Sequence, residues 1–313
     1  MLRAEPENVK IHFILNPRSG PRRRNSGALS LLREFIAANG PDAELFVTDG
    51  PGHATELARR AVAAGCGRVA AVGGDGTMNE VAQALVHSPV ALALVPCGSG
   101  NGLARHLGIP AATSCALRLA ADSSARIAAI DTGTANRRPF FNAMGLGFDA
   151  EISRLFCRAS GRGLPGYVGA FLRAFAGRRT ERCTVDAGIC HETIETLLLA
   201  VANSDQYGHG AFIAPGARVD DGLLDLVAVA PVGLCRASAL AARLFLGSID
   251  RSPLIHRLRG TGFIIGRRAP GLIHTDGECH AEEARVEVAV QPRSLRVVVP
   301  AGAPVRDAVA PQT

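Results

Sequence analysis

Residues 69–77 read Val69-Ala-Ala-Val72-Gly73-Gly74-Asp75-Gly76-Thr77, and this short stretch decides the fold. Val69–Val72 has the look of a brief buried strand. The glycines release the chain, and from Thr77 onward apolar residues recur at Met78, Val81, Ala82 and Leu85, the spacing of one helix face. Strand, glycine loop and helix in that order make the repeating unit of a parallel sheet. Bare N–H groups at a helix start also form a phosphate cradle. Asp75 complicates this, because a carboxylate and a phosphate at close range repel unless a cation or a transferable proton separates them. A simple helix cap is the plain alternative.

The pattern extends outward from this loop. Val9–Leu15 reads as a strand, followed by a Pro/Arg/Ser/Gly loop and a helix over Ala28–Ala38. Ala43–Val47 is a second strand, with a turn and then the helix His53–Ala64. Val90–Val95 is a fourth strand, leading through Gly98-Ser99-Gly100-Asn101-Gly102 to a helix from about Leu103. Residues 1–124 are therefore expected to form an α/β domain with a doubly wound, Rossmann-like parallel sheet. Its glycine loops lie at the carboxyl edge, where such sheets bind ligands. After Ser124 the segments Arg126–Asp131, Leu197–Val201, Leu223–Val229, Gly262–Ile265, Arg285–Val290 and Ser294–Val299 are short, β-branched and punctuated by turns. They predict a β-rich C-terminal domain over 125–313, a sandwich or barrel. Helices over Tyr167–Ala176 and Leu234–Gly247 interrupt it, and packing of the last segment back on the first domain is left open.

With 47% hydrophobic and 20% charged residues over 313 positions, the composition is that of a globular protein large enough for two cores. No stretch approaches the roughly 18 uninterrupted apolar residues of a membrane span, and the N-terminus has no signal-peptide h-region. Eight scattered cysteines without a C-x-x-C pair suit reduced thiols and a cytoplasmic setting. The net charge of +6, carried by arginines apart from Lys10, favours anionic partners such as nucleotide phosphates or an acidic membrane surface. Two tyrosines and no tryptophan give no reason to invoke nucleic acid.

Three further loops bear on the chemistry. Asn16-Pro17-Arg18-Ser19-Gly20 follows the first strand and is, alone, only a turn with exposed amides. Gly98–Gly102 fails as a dinucleotide fingerprint, because it follows the fourth strand and has Leu103 in the last position. His274-Thr275-Asp276-Gly277-Glu278-Cys279-His280 offers two readings beside a plain surface turn. His274, Cys279 and His280 could be metal ligands, although adjacent residues in an extended chain point apart. Alternatively, Asp276 and Glu278 are paired carboxylates that bind Mg²⁺ or accept a proton. Phosphate-cradling loops with acids in them suit Mg²⁺-dependent phosphoryl transfer, which needs positioned phosphates, a divalent ion and a carboxylate base.

The set Asn16-Pro17-x-Ser19-Gly20, Gly73–Thr77 with Asn79-Glu80-Val81, Gly98-Ser99-Gly100-Asn101 and Asp276-Gly277-Glu278 resembles the diacylglycerol kinase catalytic family, which includes bacterial lipid kinases and sphingosine kinases. Asn142-Ala-Met-Gly-x-Gly-Phe-Asp149 and Pro215-x-Ala217-x-x-Asp220-Asp221-Gly222-x-Leu224-Asp225 extend the resemblance over nearly the whole chain. It implies an ATP-binding domain, a β-rich lipid-binding domain and an active site in the cleft between them. By position, Asn16, Pro17, Ser19, Gly20, Thr48, Gly73, Gly74, Asp75, Gly76, Thr77, Ser99 and Asn101 would hold ATP. Asp276 would be the general base, Glu278 an alternate base or metal partner, and Asp75 would work with Mg²⁺ and the γ-phosphate. A structural Mg²⁺ would use Asp221 with the carbonyls of Arg218 and Leu223. The Ser-Gly-Asn form of the fourth-strand loop looks more like the sphingosine kinases, where Asp149 and Glu151 would meet an amino-alcohol head group.

The implied function is ATP- and Mg²⁺-dependent phosphorylation of a hydroxyl on diacylglycerol or a related long-chain alcohol, a sphingoid base included. The rivals are a soluble-substrate kinase of the NAD kinase type and a catalytically silent nucleotide or lipid sensor. A lipid substrate implies peripheral contact with the inner membrane face; a homodimer is left open. YVGAFLRAFAGRR (167–179) places Tyr167, Ala170, Phe171, Ala174 and Phe175 on one helical face and Arg173, Arg178 and Arg179 away from it. Such a helix either lies on anionic lipid or covers the core.

Overall fold

A computed structural model of the chain describes residues 9–306 except 21, 40–41, 159–163, 178–179 and 189, with side chains at all but 22–26, 39, 156–158 and 164–168. The chain divides into two compact units, Met1–Ile130 with Arg293–Thr313, and Asp131–Pro292.

In the first unit, strands and helices alternate: β1 (Ile11–Leu15), α1 (Arg22–Asn39), β2 (Ala43–Val47), α2 (His53–Ala63), β3 (Arg68–Gly73), α3 (Asp75–Leu85), β4 (Ala91–Pro96), α4 (Gly102–His106) and α5 (Thr113–Ala121). The strands pair in parallel in the order β2-β1-β3-β4. β1, β3 and β4 are buried along their whole length, which is why they read as continuous apolar runs and not as alternating ones. Leu15 lies opposite both Val47 and Val72, and Val72 opposite Val95. The loops after these strands therefore open along one edge. The strand order turns back between β1 and β3, so Asn16–Gly20 and Gly73–Gly76 flank the switch point of the sheet, the usual ligand crevice of open α/β folds. The expected α/β class holds, with one refinement: the helix after β3 begins at Asp75 and not at Thr77. This puts the carboxylate in the first turn, where the helix dipole favours it.

The second unit contains β6 (Arg138–Phe140), β7 (Ala143–Gly147), α6 (Phe148–Arg158), α7 (Leu164–Ala176), β8 (Glu181–Asp186), β9 (His191–Thr196), β10 (Leu198–Ala202), β11 (Leu224–Val229), α8 (Leu234–Phe245), β12 (Ile255–Gly260), β13 (Gly262–Gly266), β14 (Gly271–Thr275) and β15 (Glu278–Glu282). β5 (Arg126–Ala135) and β16 (Arg285–Val299) carry the chain across the unit boundary. One sheet runs β12-β11-β10-β7-β14-β15, antiparallel throughout. Its inner face, including Met144, Leu146, Leu199, Val201, Leu226 and Ile273, shares one buried cluster with Phe140, Val185, Phe263, Ile265, Val286 and Val288 from the other sheet. This is a β-sandwich, so of the two expected forms the barrel is set aside. The outer face of the six-stranded sheet is covered by helices, with Phe148 and Ile152 of α6, Ala174 and Phe175 of α7 and Ala237 of α8 in one cluster.

One expectation changes here and one alternative is settled. Arg285–Val290 and Ser294–Val299 are one fifteen-residue strand, β16, and not two. Pro292 and the positive φ of Arg293 (52°) interrupt the sequence pattern but not the strand. Of the two readings of the 167–179 helix, the structure has the second: the Phe171/Phe175 face covers the core. Phe171 and Phe175 both make edge contacts with Phe148, and Phe175 is 5% exposed. The side chain of Tyr167 and all of Arg178 and Arg179 lie outside the described residues. Among those described, no helix is long and apolar enough to cross a membrane.

Candidate functional site

The two glycine loops of the first unit touch through their backbones. A Cβ on Gly98 would sit 2.6 Å from the Gly74 Cα, and one on Gly20, whose φ is +77°, would sit 2.2 Å from the Cys97 carbonyl oxygen. Any side chain at either position would wedge the loops apart. Thr77 joins them to the first loop: the Asn16 amide donates to its hydroxyl at 3.0 Å, and the Ser19 hydroxyl lies 3.2 Å from it. Asn16 also accepts the Arg18 N–H on its side-chain oxygen at 2.9 Å, which fixes the turn. Thr48 is buried, its N–H donating to Leu15 O at 2.9 Å. Ser99 and Gly76 are exposed at the loop tips. Glu80, inside α3, is drawn away from this edge to cap α2, accepting the Ala54 N–H at 3.1 Å.

Asp75 caps a helix other than its own. Its two carboxylate oxygens accept the N–H groups of Asn101 at 2.7 Å and Gly102 at 2.8 Å, the first amides of α4. Asn101, in the left-handed conformation, in turn donates its side-chain amide to Gly98 O at 2.8 Å. One acid thus ties the β3 loop to the β4 loop, and both loops are held in the shape that keeps their remaining amides at the sheet edge. Among the described residues no basic side chain pairs with Asp75. Each carboxylate oxygen keeps a second lone pair, a donor that suits Mg²⁺.

In the second unit, Asp276 and Gly277 form the two-residue turn between β14 and β15, with Thr275 opposite Glu278. Both turn residues have positive φ (49° and 89°), the type I′ geometry for which Asp-Gly is favoured. The Asp276 carboxylate accepts three consecutive backbone N–H groups, from Phe141 at 2.7 Å, Asn142 at 2.8 Å and Ala143 at 3.0 Å. Burial pushes the carboxyl up to about 6, opposed by those three amides. A carboxylate near 6 is a better base than an ordinary one and remains ionised at neutral pH. Glu278 is exposed beside it.

His274, on β14 just before the turn, is buried. It does not join Cys279 and His280 around a common point: Cys279 donates its thiol to Ala150 O at 3.5 Å, and His280 lies 3.1 Å from the Thr275 hydroxyl. Among the described residues no group of three or more His, Cys, Asp or Glu could hold a metal ion. Asp149 is 2% exposed and accepts from the Tyr207 hydroxyl at 2.5 Å, with His274 Nε2 at 2.9 Å. Glu151 is held by Arg154 through two bonds.

The segment expected to hold a structural Mg²⁺ is arranged around arginine. Asp221 is paired with the Arg259 guanidinium and accepts the Leu223 N–H at 3.1 Å, while Arg218 is bonded to Asp220 at 2.9 and 3.0 Å. Nearby Asp225, whose carboxyl is raised by burial, is bracketed by Arg257 and Arg259. With its one expected carboxylate ligand already neutralised by a guanidinium, this donor set does not fit a divalent ion.

Several participants were not legible as site residues in the sequence: the amides of residues 141–143, the amide of Gly102, and the side chains of His274 and Tyr207 as partners of Asp149. The one available signal was the position of His274 two residues before Asp276, at the end of the strand that leads into the turn.

The comparisons with known proteins agree with this fold. Residues 10–135 match the diacylglycerol kinase catalytic domain, and residues 142–299 match the YegS C-terminal NAD kinase beta sandwich-like domain. A Pseudomonas aeruginosa (strain UCBPP-PA14) protein described as probable lipid kinase YegS-like is 32% identical over 300 residues, covering 94% of this chain and 96% of that protein. A Chromohalobacter salexigens protein with the same description is 34% identical over 226 residues, covering 69% of this chain and 70% of that protein. The crystal structure of a diacylglycerol kinase from Bacillus anthracis str. Sterne superimposes with a TM-score of 0.73 at 20% identity, over 94% of this chain and 98% of that one, a likeness of fold. With glycine loops at the switch point of a parallel sheet and an Asp-Gly-Glu hairpin on a β-sandwich, the chain belongs to the diacylglycerol kinase catalytic family and is an enzyme of the lipid kinase class.

Proposed function

We propose that this lipid kinase transfers the γ-phosphoryl group of ATP, with Mg²⁺, to a hydroxyl of diacylglycerol or a related long-chain lipid alcohol at the membrane surface. The observation that carries the reading is the nest of three amides around Asp276, which holds a carboxylate of raised basicity in the turn that the family resemblance assigns to the base.

The nucleotide phosphates are held by the loop amides of residues 16–20, 73–77 and 98–101, with Asn16, Ser19 and Thr77 fixing the loops' spacing and Thr48 and Ser99 at their margins. Mg²⁺, when bound with the nucleotide, neutralises charge on the transferred phosphoryl group. Asp75 keeps the two loops together and, among the described residues, is paired with no basic side chain. Asp276 accepts the proton of the attacking hydroxyl, and Glu278, exposed on the same turn, supports it as a second acid.

For the acceptor, the acids that would bind a sphingoid amine are engaged: Asp149 by Tyr207 and His274, Glu151 by Arg154. That favours a neutral alcohol such as diacylglycerol. The test is transfer from γ-labelled ATP to a total lipid extract in parallel with NAD. Label in a neutral-lipid product is expected; label in NAD alone would replace the reading with a soluble-substrate kinase.

A further inference from the structure

We infer that His274 is a positioning residue: it sets the Asp276-Gly277 turn from beneath, and Asp149 and Tyr207 hold it in one tautomer for that purpose. The inference rests on the reading of Asp276 as the base. The backbone N–H of Gly277 points at His274 Nδ1, at 3.2 Å. A nitrogen that faces a donor has to be the acceptor, so the ring proton sits on Nε2. Nε2 is 2.9 Å from Asp149 Oδ2 and donates to it. That same oxygen receives the Tyr207 hydroxyl at 2.5 Å. His274 and Asp149 are each 2% exposed. A continuous chain of hydrogen bonds therefore runs from Tyr207 and α6 through the imidazole to the amide at the crest of the catalytic turn.

Room for this chain is built into the strand beneath it. A Cβ on Gly145 would come within 2.2 Å of Asp149 Oδ2 and 2.6 Å of His274 Nε2. β7 carries glycine where the pair crosses it. A buried pair of this kind adds little to stability compared with apolar packing of the same volume. What it supplies is direction. The turn residue bonded to His274 directly follows the residue whose carboxylate is nested on Phe141–Ala143, so the two sets of bonds fix the turn from both sides. Fixed orientation of a ligand or base by a partner of this kind is a general use of a buried carboxylate–histidine pair. The groups that face the ring are Asp149 from α6, Tyr207 from the loop after β10, and Asp276 and His280 on its own hairpin.

The side-chain isosteres separate this role from packing. Asparagine places its oxygen near the Nδ1 position and keeps the acceptor for Gly277. Glutamine places its amide near Nε2 and keeps the donor to Asp149 but loses that acceptor. In the full chain, with ATP and diacylglycerol vesicles, His274→Gln is expected to lower kcat about 10–100-fold with the KM for ATP unchanged, and His274→Asn, which keeps the acceptor for Gly277 but loses the bond to Asp149, to lose clearly less. Equal losses in both variants, or none in either, would overturn the inference. Imidazole nitrogen NMR of the wild-type protein needs neither variant nor turnover. It is expected to show Nε2 of His274 protonated and Nδ1 bare. An imidazolium or an Nδ1–H tautomer would overturn the inference even in an active enzyme. Absence of lipid phosphorylation by the wild type, with the expected tautomer present, would instead fault the reading of the reaction.

Discussion

Asp276 and Ala143 are bonded in both directions: the Asp276 N–H donates to the Ala143 carbonyl at 2.8 Å, and the Ala143 N–H donates to the Asp276 carboxylate at 3.0 Å. This reciprocal pair docks the β14–β15 turn on the start of β7. It gives the carboxylate a fixed place and, through burial, a raised proton affinity.

The raised carboxyl of Asp276 has two consequences of opposite sign. As a base it has to be ionised, so turnover is expected to fall as the pH drops through about 6. Stability runs the other way. The folded-state value lies above the ordinary carboxylate value of 3.8, so the native state holds more protons than the unfolded state between the two. This group's contribution is therefore full below 3.8 and is lost as pH rises through about 6. Urea unfolding of wild type and Asp276→Asn at a series of pH values checks the sign, since the difference between them should change across that window.

Asp75 is expected to matter to folding as well as to turnover. With both oxygens tied to the first amides of α4, its loss removes a helix cap worth roughly 1–2 kcal/mol and loosens the Gly98 loop. Denaturant titration of Asp75→Ala should show that loss beside a collapse of turnover. Asp75→Asn, which keeps one acceptor, should recover part of the stability and little of the rate.

The contact of Gly74 with Gly98 predicts a binding defect. In Gly98→Ala the new methyl meets the Gly74 Cα at 2.6 Å, backbone against backbone. Separating the loops is expected to cost about 1–3 kcal/mol and to appear as a raised KM for ATP, measurable by nucleotide titration. The second unit's unfolding should be unaffected.

Phe175→Asp is expected to destabilise the second unit by several kcal/mol, because it buries a charge in a core site that is 5% exposed. Thermal melting would register this directly. Leu172, 54% exposed on the same helix, is the position where a Leu→Asp change tests lipid contact without unfolding. Sedimentation with anionic vesicles would report it.

The two halves of the chain differed in how much of them could be read from sequence. The parallel sheet was legible because its strands are buried on both faces and its loops are marked by glycine. In the second unit, α6 escaped notice: it follows β7 with no polar N-cap, and Phe148-Asp149 reads as the end of a strand motif. The role of Asp75 at α4 and the pairing of His274 with Asp149 span 26 and 125 residues. Contacts at such separations leave no periodic trace in one sequence. Motif spacing carried the identity of Asp276 and Asp75, whereas their partners came only from the fold.

The central claim is that Asp276, nested on three amides, takes the proton from a lipid hydroxyl. Asparagine suits the same type I′ turn and keeps an acceptor for the Asn142 and Ala143 amides, but it turns an NH₂ toward the Phe141 N–H, so the loss of chemistry in Asp276→Asn is read beside the loss of stability. The decisive measurement is kcat for transfer from labelled ATP to diacylglycerol in this variant, with its melting temperature and KM for ATP determined alongside. The account predicts a fall in kcat of about 10²–10⁴-fold in a variant that is still folded at the assay temperature and has a KM for ATP close to wild type; turnover near wild type in the folded variant would contradict it.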